Sequence, residues 1–181
     1  MADVSTPLNE AKTLRARLVG DYADSDSWVD NLSNKHETLF ATIEADLTPN
    51  TLLSAGYSRQ ENNPTGSMWG GLPVWFSDGT RTNWDRSKTT SADWVSWNSI
   101  YENYFASLEH QFDSGWKVKA SYTHGERDAN SHLLYLYGAP DRTTGLGMYT
   151  WPGSYLVNTT QDDVSLQANG PFELLGRKHE L

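Results

Sequence analysis

Along Thr38–Leu47, Leu39, Ala41, Ile43, Ala45 and Leu47 fall on one side of the chain. Thr38, Thr42, Glu44 and Asp46 fall on the other, with Phe40 as the exception. Such alternation puts successive side chains on opposite faces of an extended backbone and predicts a long β-strand. Thr48-Pro49-Asn50-Thr51 then turns the chain, since Pro and Asn favour turn geometry. Leu53, Ala55 and Tyr57 resume the alternation opposite Ser54, Gly56 and Ser58, which predicts a hairpin. The same pattern sets Leu14, Ala16, Leu18, Gly20 and Tyr22 against Thr13, Arg15, Arg17, Val19 and Asp21. It sets Tyr104, Ala106, Leu108, His110 and Phe112 against Phe105, Ser107, Glu109 and Gln111. Past the turn Asp113-Ser114-Gly115, Trp116, Val118, Ala120 and Tyr122 oppose Lys117, Lys119, Ser121 and Thr123. Val164, Leu166 and Ala168 oppose Asp163, Ser165 and Gln167 before a turn at Asn169-Gly170-Pro171. No window carries a helical stripe, so the chain reads as all-β, an antiparallel meander of long strands.

The connections choose between architectures. Short turns at Asn9–Lys12, Thr48–Thr51, Asp113–Gly115 and Asn169–Pro171 alternate with polar segments expected as long loops over 24–37, 60–100 and 126–160. Short turns at one end and long loops at the other are the plan of an outer-membrane β-barrel. The polar face, with Arg15, Arg17, Glu44, Asp46, Glu109, Lys117 and Lys119, would line a wet lumen in a barrel and face bulk water in a sandwich. Phe112 and Trp116 flank a short turn, where an interfacial aromatic girdle belongs. An antiparallel sandwich stays the alternative, and loop asymmetry favours the barrel.

Composition narrows the choice further. The 181 residues include no cysteine, which excludes disulfides, thiolate metal sites and thiol nucleophiles. Fourteen basic against 23 acidic side chains give a net charge of −9, so a phosphate-binding surface and nucleic-acid partners are not expected. No apolar run approaches the roughly 20 residues of a membrane helix, but a barrel hides its lipid face in alternate positions. The N-terminal segment has neither a basic region nor an apolar core of a secretory signal. The final four residues, Lys178-His179-Glu180-Leu181, look like a lumenal retention signal, and two glycosylation sequons occur at Asn31 and Asn158. Without a signal these read as coincidence.

Candidate chemistry concentrates in residues 66–98. Five of the eight tryptophans lie there, Trp69, Trp75, Trp84, Trp94 and Trp97. A loop of about 30 residues is either functional or disordered, and aromatic density opposes disorder. Trp and Tyr offer broad apolar contact with a polar edge, suited to a bulky amphipathic ligand or to packing of the loop on itself. Catalytic motifs are missing from the sequence. His36, His110, His124, His132 and His179 show no metal-ligand spacing, and there is no nucleophile elbow, phosphate loop or dinucleotide fingerprint. Asp24-Ser25-Asp26 lacks the glycine and glutamate of a calcium loop. The chain is not expected to be an enzyme or to ligate a metal.

Gly71-Leu72-Pro73, Ser77-Asp78-Gly79-Thr80-Arg81-Thr82, Trp94, Trp97 and Phe105-Ala106-Ser107-Leu108-Glu109-His110 resemble TonB-dependent ferric-siderophore receptors. The ferripyoverdine and hydroxamate-siderophore branch is most similar. Leu14–Val19 resembles an early barrel strand of that family. Gly170-Pro171-Phe172 with Leu175–Leu181 resembles a later periplasmic turn and the strand leaving it, which would make the terminal tetrapeptide mid-strand sequence. The resemblance implies a 22-stranded outer-membrane β-barrel with a plugged lumen. Residues 1–181 would be a fragment of roughly seven crossings, without the plug, the TonB box, a signal peptide or the closing strands. It implies a Gram-negative outer-membrane location among lipid, import of a ferric siderophore, and energy from the TonB–ExbB–ExbD complex through the missing plug. Iron would be held by the siderophore. Trp69, Trp75, Phe76, Trp94 and Trp97 are the candidate ligand contacts, with Tyr149 and Trp151 from the next loop behind them. A Trp-rich soluble carbohydrate-binding sandwich, or a TonB-dependent transporter of another ligand such as a sugar or cobalamin, remains as an alternative.

Overall fold

The alternating stretches pair because an extended backbone satisfies its N–H and C=O groups only through neighbours. The computed structural model describes residues 1–180. Their strands are β1 (Ala2–Pro7), β2 (Leu14–Asp26), β3 (Ser33–Thr48), β4 (Thr51–Asn62), β5 (Ser96–Gln111), β6 (Lys117–Gly138), β7 (Met148–Asn169), β8 (Pro171–Leu174) and β9 (Arg177–Glu180). No helix occurs among the described residues. Strands β1 to β7 form one antiparallel meander in sequence order, and β8 pairs only with β9. The turns joining β1 to β2, β3 to β4, β5 to β6 and β7 to β8 are short and share one end of the sheet. At the β5–β6 turn, Gly115 takes φ 88°, a left-handed conformation that a side chain would disfavour.

Register carries the sequence pattern across the whole sheet. Leu14, Ala45, Leu53, Leu108, Ala120 and Leu166 form one continuous row, and Ala16, Ile43, Ala55, Ala106, Tyr122 and Val164 the next. Many of these side chains lie open: Leu18 is 53% exposed, Val164 82% and Leu166 75%. A soluble sandwich would cover such a face with a second sheet, and none packs on it among the described residues. An exposed apolar band is what lipid requires. Above it stand Tyr22, Tyr57, Tyr104 and Tyr122, a tyrosine girdle. Tyr57 and Tyr104 share the Leu18 row, Tyr122 lies one row lower and Tyr22 two rows higher. The girdle therefore crosses the ladder obliquely, as level positions do when strands tilt to the bilayer normal. From Leu14 to Tyr22 is nine residues, within the range for a tilted crossing.

The opposite face is polar and satisfies itself across strands. Arg15 donates to Asp46 at 2.5 and 2.9 Å and to Glu44 at 3.3 Å, Arg17 donates to Asp3 at 2.7 and 3.0 Å, and Lys117 pairs with Glu109 at 2.6 Å. Phe40, the exception to the alternation, stacks here on Phe105 with ring centroids 6.0 Å apart. Gly56 lies across from Phe105 on the intervening strand and leaves room for its ring.

Two expectations need correction. The segments expected as loops over 24–37 and 126–160 are mostly strand, whereas 60–100 is mostly loop; the real connections are 27–32, 63–95 and 139–147. Strands β6 and β7 run 22 residues each, far beyond the lipid band. Above the girdle both faces meet water or protein, so the apolar half of the alternation ends while backbone pairing continues. The segment after Gly170 also differs from a strand that simply continues the meander. It folds back at Leu175-Gly176, both with positive φ (53° and 72°), into the β8–β9 hairpin. Of the terminal tetrapeptide, Leu181 lies outside the described residues.

Candidate ligand-binding site

The loop 63–95 is built onto the polar face where β5, β6 and β7 rise above the girdle. Odd-numbered residues of these strands share the face of Lys119 and Glu109, so Trp97, Tyr101, Leu133, Tyr135, Tyr137, Tyr149, Trp151 and Tyr155 all line its upper part. The loop covers that wall. Ala129, Ser131 and Leu133 of β6 and Val95 at the loop's own end are buried, the largest buried group in the described residues. Thr65 forms bridges to both Ser33 and Ser96, and the Gly66 N–H donates to the Val95 carbonyl at 2.9 Å. Asp30 and Ser87 tie the loop to the β2–β3 connection at 2.8 Å, and Arg86 lies 4.5 Å over the Trp28 ring.

Trp69 is the loop's anchor. It meets Tyr135 and Tyr155 edge-on, at centroid distances of 5.9 and 5.4 Å. Gly70 beside it has no room for a side chain, since a Cβ would stand 2.7 Å from the Tyr135 ring. Tyr135 continues into a stack with Tyr137 (6.4 Å), which in turn stacks on Tyr149 (5.5 Å). Trp151 lies across the ladder from Tyr135 and stays 62% exposed. Together these rings form an amphipathic wall of phenol and indole groups.

Trp75 and Phe76 belong to a different feature. A small hairpin bridges Trp75 to Arg81, closed by the Phe76 N–H donating to the Thr80 carbonyl at 2.8 Å. Phe76 packs on Trp84 at 6.2 Å, and the Arg142 guanidinium lies 5.9 Å over its ring. The Trp84 indole N–H donates to the Pro73 carbonyl at 2.7 Å. The Thr80 hydroxyl and N–H hold the Asp78 carboxyl below its ordinary range. In the facing loop, the Thr144 N–H, the Thr144 hydroxyl and the Thr143 N–H do the same to Asp141. The Ser77 N–H donates to the Pro140 carbonyl at 2.9 Å, so the two loops support each other.

Of the seven candidate contacts, the structure therefore brings Trp69, Trp97, Tyr149 and Trp151 to one wall. Trp75 and Phe76 sit in the neighbouring hairpin, and Trp94 stays half exposed at the loop's end with no ring stacked on it. Tyr135, Tyr137 and Tyr155 complete the wall and were not among the candidates. The signal for Tyr135 and Tyr137 is their period-two alternation with Leu134 and Leu136, inside a segment expected as loop. No group of three or more His, Asp or Glu that could hold a metal occurs among the described residues.

The chain is 35% identical over 181 residues, 99% of its length, to the ferric-pyoverdine BN7/BN8 receptor of Pseudomonas putida, and 35% over 183 residues to the ferripyoverdine receptor of Pseudomonas aeruginosa. The chain is homologous to ferripyoverdine receptors. The crystal structure of the outer-membrane ferripyoverdine receptor of P. aeruginosa bound to ferripyoverdine superposes with a TM-score of 0.88 at 33% identity. That match covers 98% of this chain and 24% of the receptor chain. No family model matches the chain. The chain spans about a fifth of the curated ferripyoverdine receptors it matches, 22% of their length. Those homologues are siderophore receptors, not enzymes, in the outer membrane of Gram-negative bacteria. The seven-strand meander thus matches the barrel portion of these receptors.

Proposed function

We propose that residues 1–181 form a partial barrel domain of a TonB-dependent outer-membrane receptor that binds a ferripyoverdine-type ferric siderophore and imports it. The chain supplies lipid-facing strands and an extracellular aromatic wall. Nothing in this role is enzymatic. The wall carries the reading: a bulky chelate with mixed polar and apolar surface finds indole and phenol faces on strands that cannot splay. Trp69, Trp97, Tyr149 and Trp151 face the ligand from the wall, and Trp75, Phe76 and Trp94 from the loop above it. The siderophore holds the iron, so the chain itself contributes no metal ligand. Outer-membrane lipid contacts the Leu18–Leu108–Val164 face, and TonB–ExbB–ExbD drives release through a plug outside this segment.

The test is intrinsic tryptophan fluorescence of the intact receptor that carries this segment, titrated with ferripyoverdine, cobalamin and maltose. Saturable quenching by ferripyoverdine alone supports the reading. Quenching by cobalamin or maltose instead would replace the ligand while keeping the transporter. Unchanged affinity after alanine at Trp94 and Trp97 would remove those two from the contact set.

A further inference from the structure

We propose that Arg127 holds an anionic oxygen of the transported ligand, so that negative charge is a condition of tight binding. The inference rests on the receptor reading above. Arg127 projects from β6 on the polar face, directly across the ladder from Tyr101 on β5 and Thr159 on β7. Its guanidinium lies 5.1 Å from the Tyr101 ring centroid, and its Nε is shielded from solvent with no hydrogen-bond partner. A guanidinium stays charged at any physiological pH, and a shielded donor without a partner costs free energy.

The other arginines in the strands of the seven-strand sheet are treated differently. Arg15 is held by Asp46 and Glu44, Arg17 by Asp3, and Arg59 by Glu61. No carboxylate of the described residues reaches ion-pair distance of Arg127. Its surroundings on that face, Gln60, Asn103, Ala129, Thr159 and Gln161, are all uncharged. The next acid along β7, Asp163, accepts instead from Gln161 at 2.5 Å. In a chain with net charge −9, an anion entering the lumen is repelled broadly and attracted here.

Position supplies the rest of the argument. Four residues up β6, Ser131 pairs with Trp97 and Tyr155, where the aromatic wall begins. That step is about 13 Å along the strand, a distance a siderophore-sized ligand spans. A ligand seated against the wall and reaching toward the membrane meets this cation below it. The guanidinium fork suits a carboxylate or a deprotonated chelate oxygen, and the Tyr101 face keeps it oriented.

The experiment titrates ferripyoverdine into the intact receptor as wild type, Arg127→Gln and Arg127→Lys, at low and high salt, with thermal unfolding measured in parallel. The Gln variant is expected to bind about tenfold to about a hundredfold more weakly. The Lys variant falls between, since it keeps the charge and loses the fork. Salt should weaken wild-type binding more than binding by the Gln variant, while the unfolding midpoint stays unchanged. A Gln variant within about twofold of wild type overturns the inference. So does a loss of affinity accompanied by a lowered midpoint, which would mean that Arg127 pairs with another part of the receptor. A wild-type receptor that does not bind ferripyoverdine refutes the receptor reading, and the inference with it.

Discussion

Gly56 offers a sharp test of how the polar face is packed. A Cβ built there would lie 2.6 Å from the Ala41 carbonyl oxygen and 2.8 Å from Cε1 of Phe105. One obstacle is backbone inside a ladder, so it cannot swing aside. The other is a ring already stacked on Phe40. Overpacking of this kind costs about 1–3 kcal/mol, and the lower unfolded-state entropy of alanine returns about 0.4–1 kcal/mol. Gly56→Ala should therefore destabilise the intact receptor by about 1–2 kcal/mol. Gly20, on the lipid-facing side of β2, is the control. A Cβ there meets nothing within 4 Å, so Gly20→Ala should be neutral or slightly stabilising. The assay is the urea midpoint in detergent, followed by heat-modifiable gel migration. Adding Phe105→Ala to Gly56→Ala should cost less than the two changes summed, because the ring is one of the two clashes. A Gly56→Ala midpoint equal to or above that of Gly20→Ala would refute the packing argument.

Trp69→Ala removes two edge-on aromatic contacts worth about 0.5–1.5 kcal/mol each. Cleavage within 63–95 by a limiting protease should speed up about tenfold or more, and an unchanged rate would show that Trp69 does not anchor the loop. The Asp141 carboxylate is depressed by its Thr143 and Thr144 donors, so the loop order it supports is complete above the ordinary carboxylate range. That order is lost only as pH falls through the depressed value. Amide exchange at Thr143 and Thr144, corrected for intrinsic rate, should therefore be flat from pH 7 to about pH 5 and rise in stronger acid. A rise already complete above the ordinary range would contradict it. Residues 1–181 expressed alone leave the outer edges of β1 and β7 unpaired, and each open backbone group in lipid costs several kcal/mol. Refolded in detergent, that polypeptide should show no compact, fast-migrating band on unheated gels, and such a band would overturn the expectation.

The lipid-spanning part of this protein was legible residue by residue. Leu14 to Tyr22, Leu39 to Leu47 and Tyr104 to Phe112 alternate because one face must meet hydrocarbon and the other water. That contrast writes itself into every second residue. Turn positions were legible for a local reason, since Pro49, Asn50 and Gly115 carry conformational preferences of their own. Siderophore-receptor ancestry was legible in the loop strings around Gly71, Ser77 and Trp97.

Above the bilayer the contrast disappears, and with it the signal. Met148–Asn158 and Gly125–Gly138 are strands because their neighbours present ladder partners, a non-local fact that no window of the chain contains. The wall followed the same rule. Trp69 stands out by its residue type, but its place against Tyr135 and Tyr155 depends on a loop folding back over strands some 65 to 85 residues further on. Arg127 is invisible to composition altogether. Only the register that sets it opposite Tyr101, away from every carboxylate on its face, distinguishes it from the paired arginines lower on the barrel. Alternation against lipid was a property of the chain, and the aromatic wall and the unpaired Arg127 depended on which distant residues the ladder brought side by side.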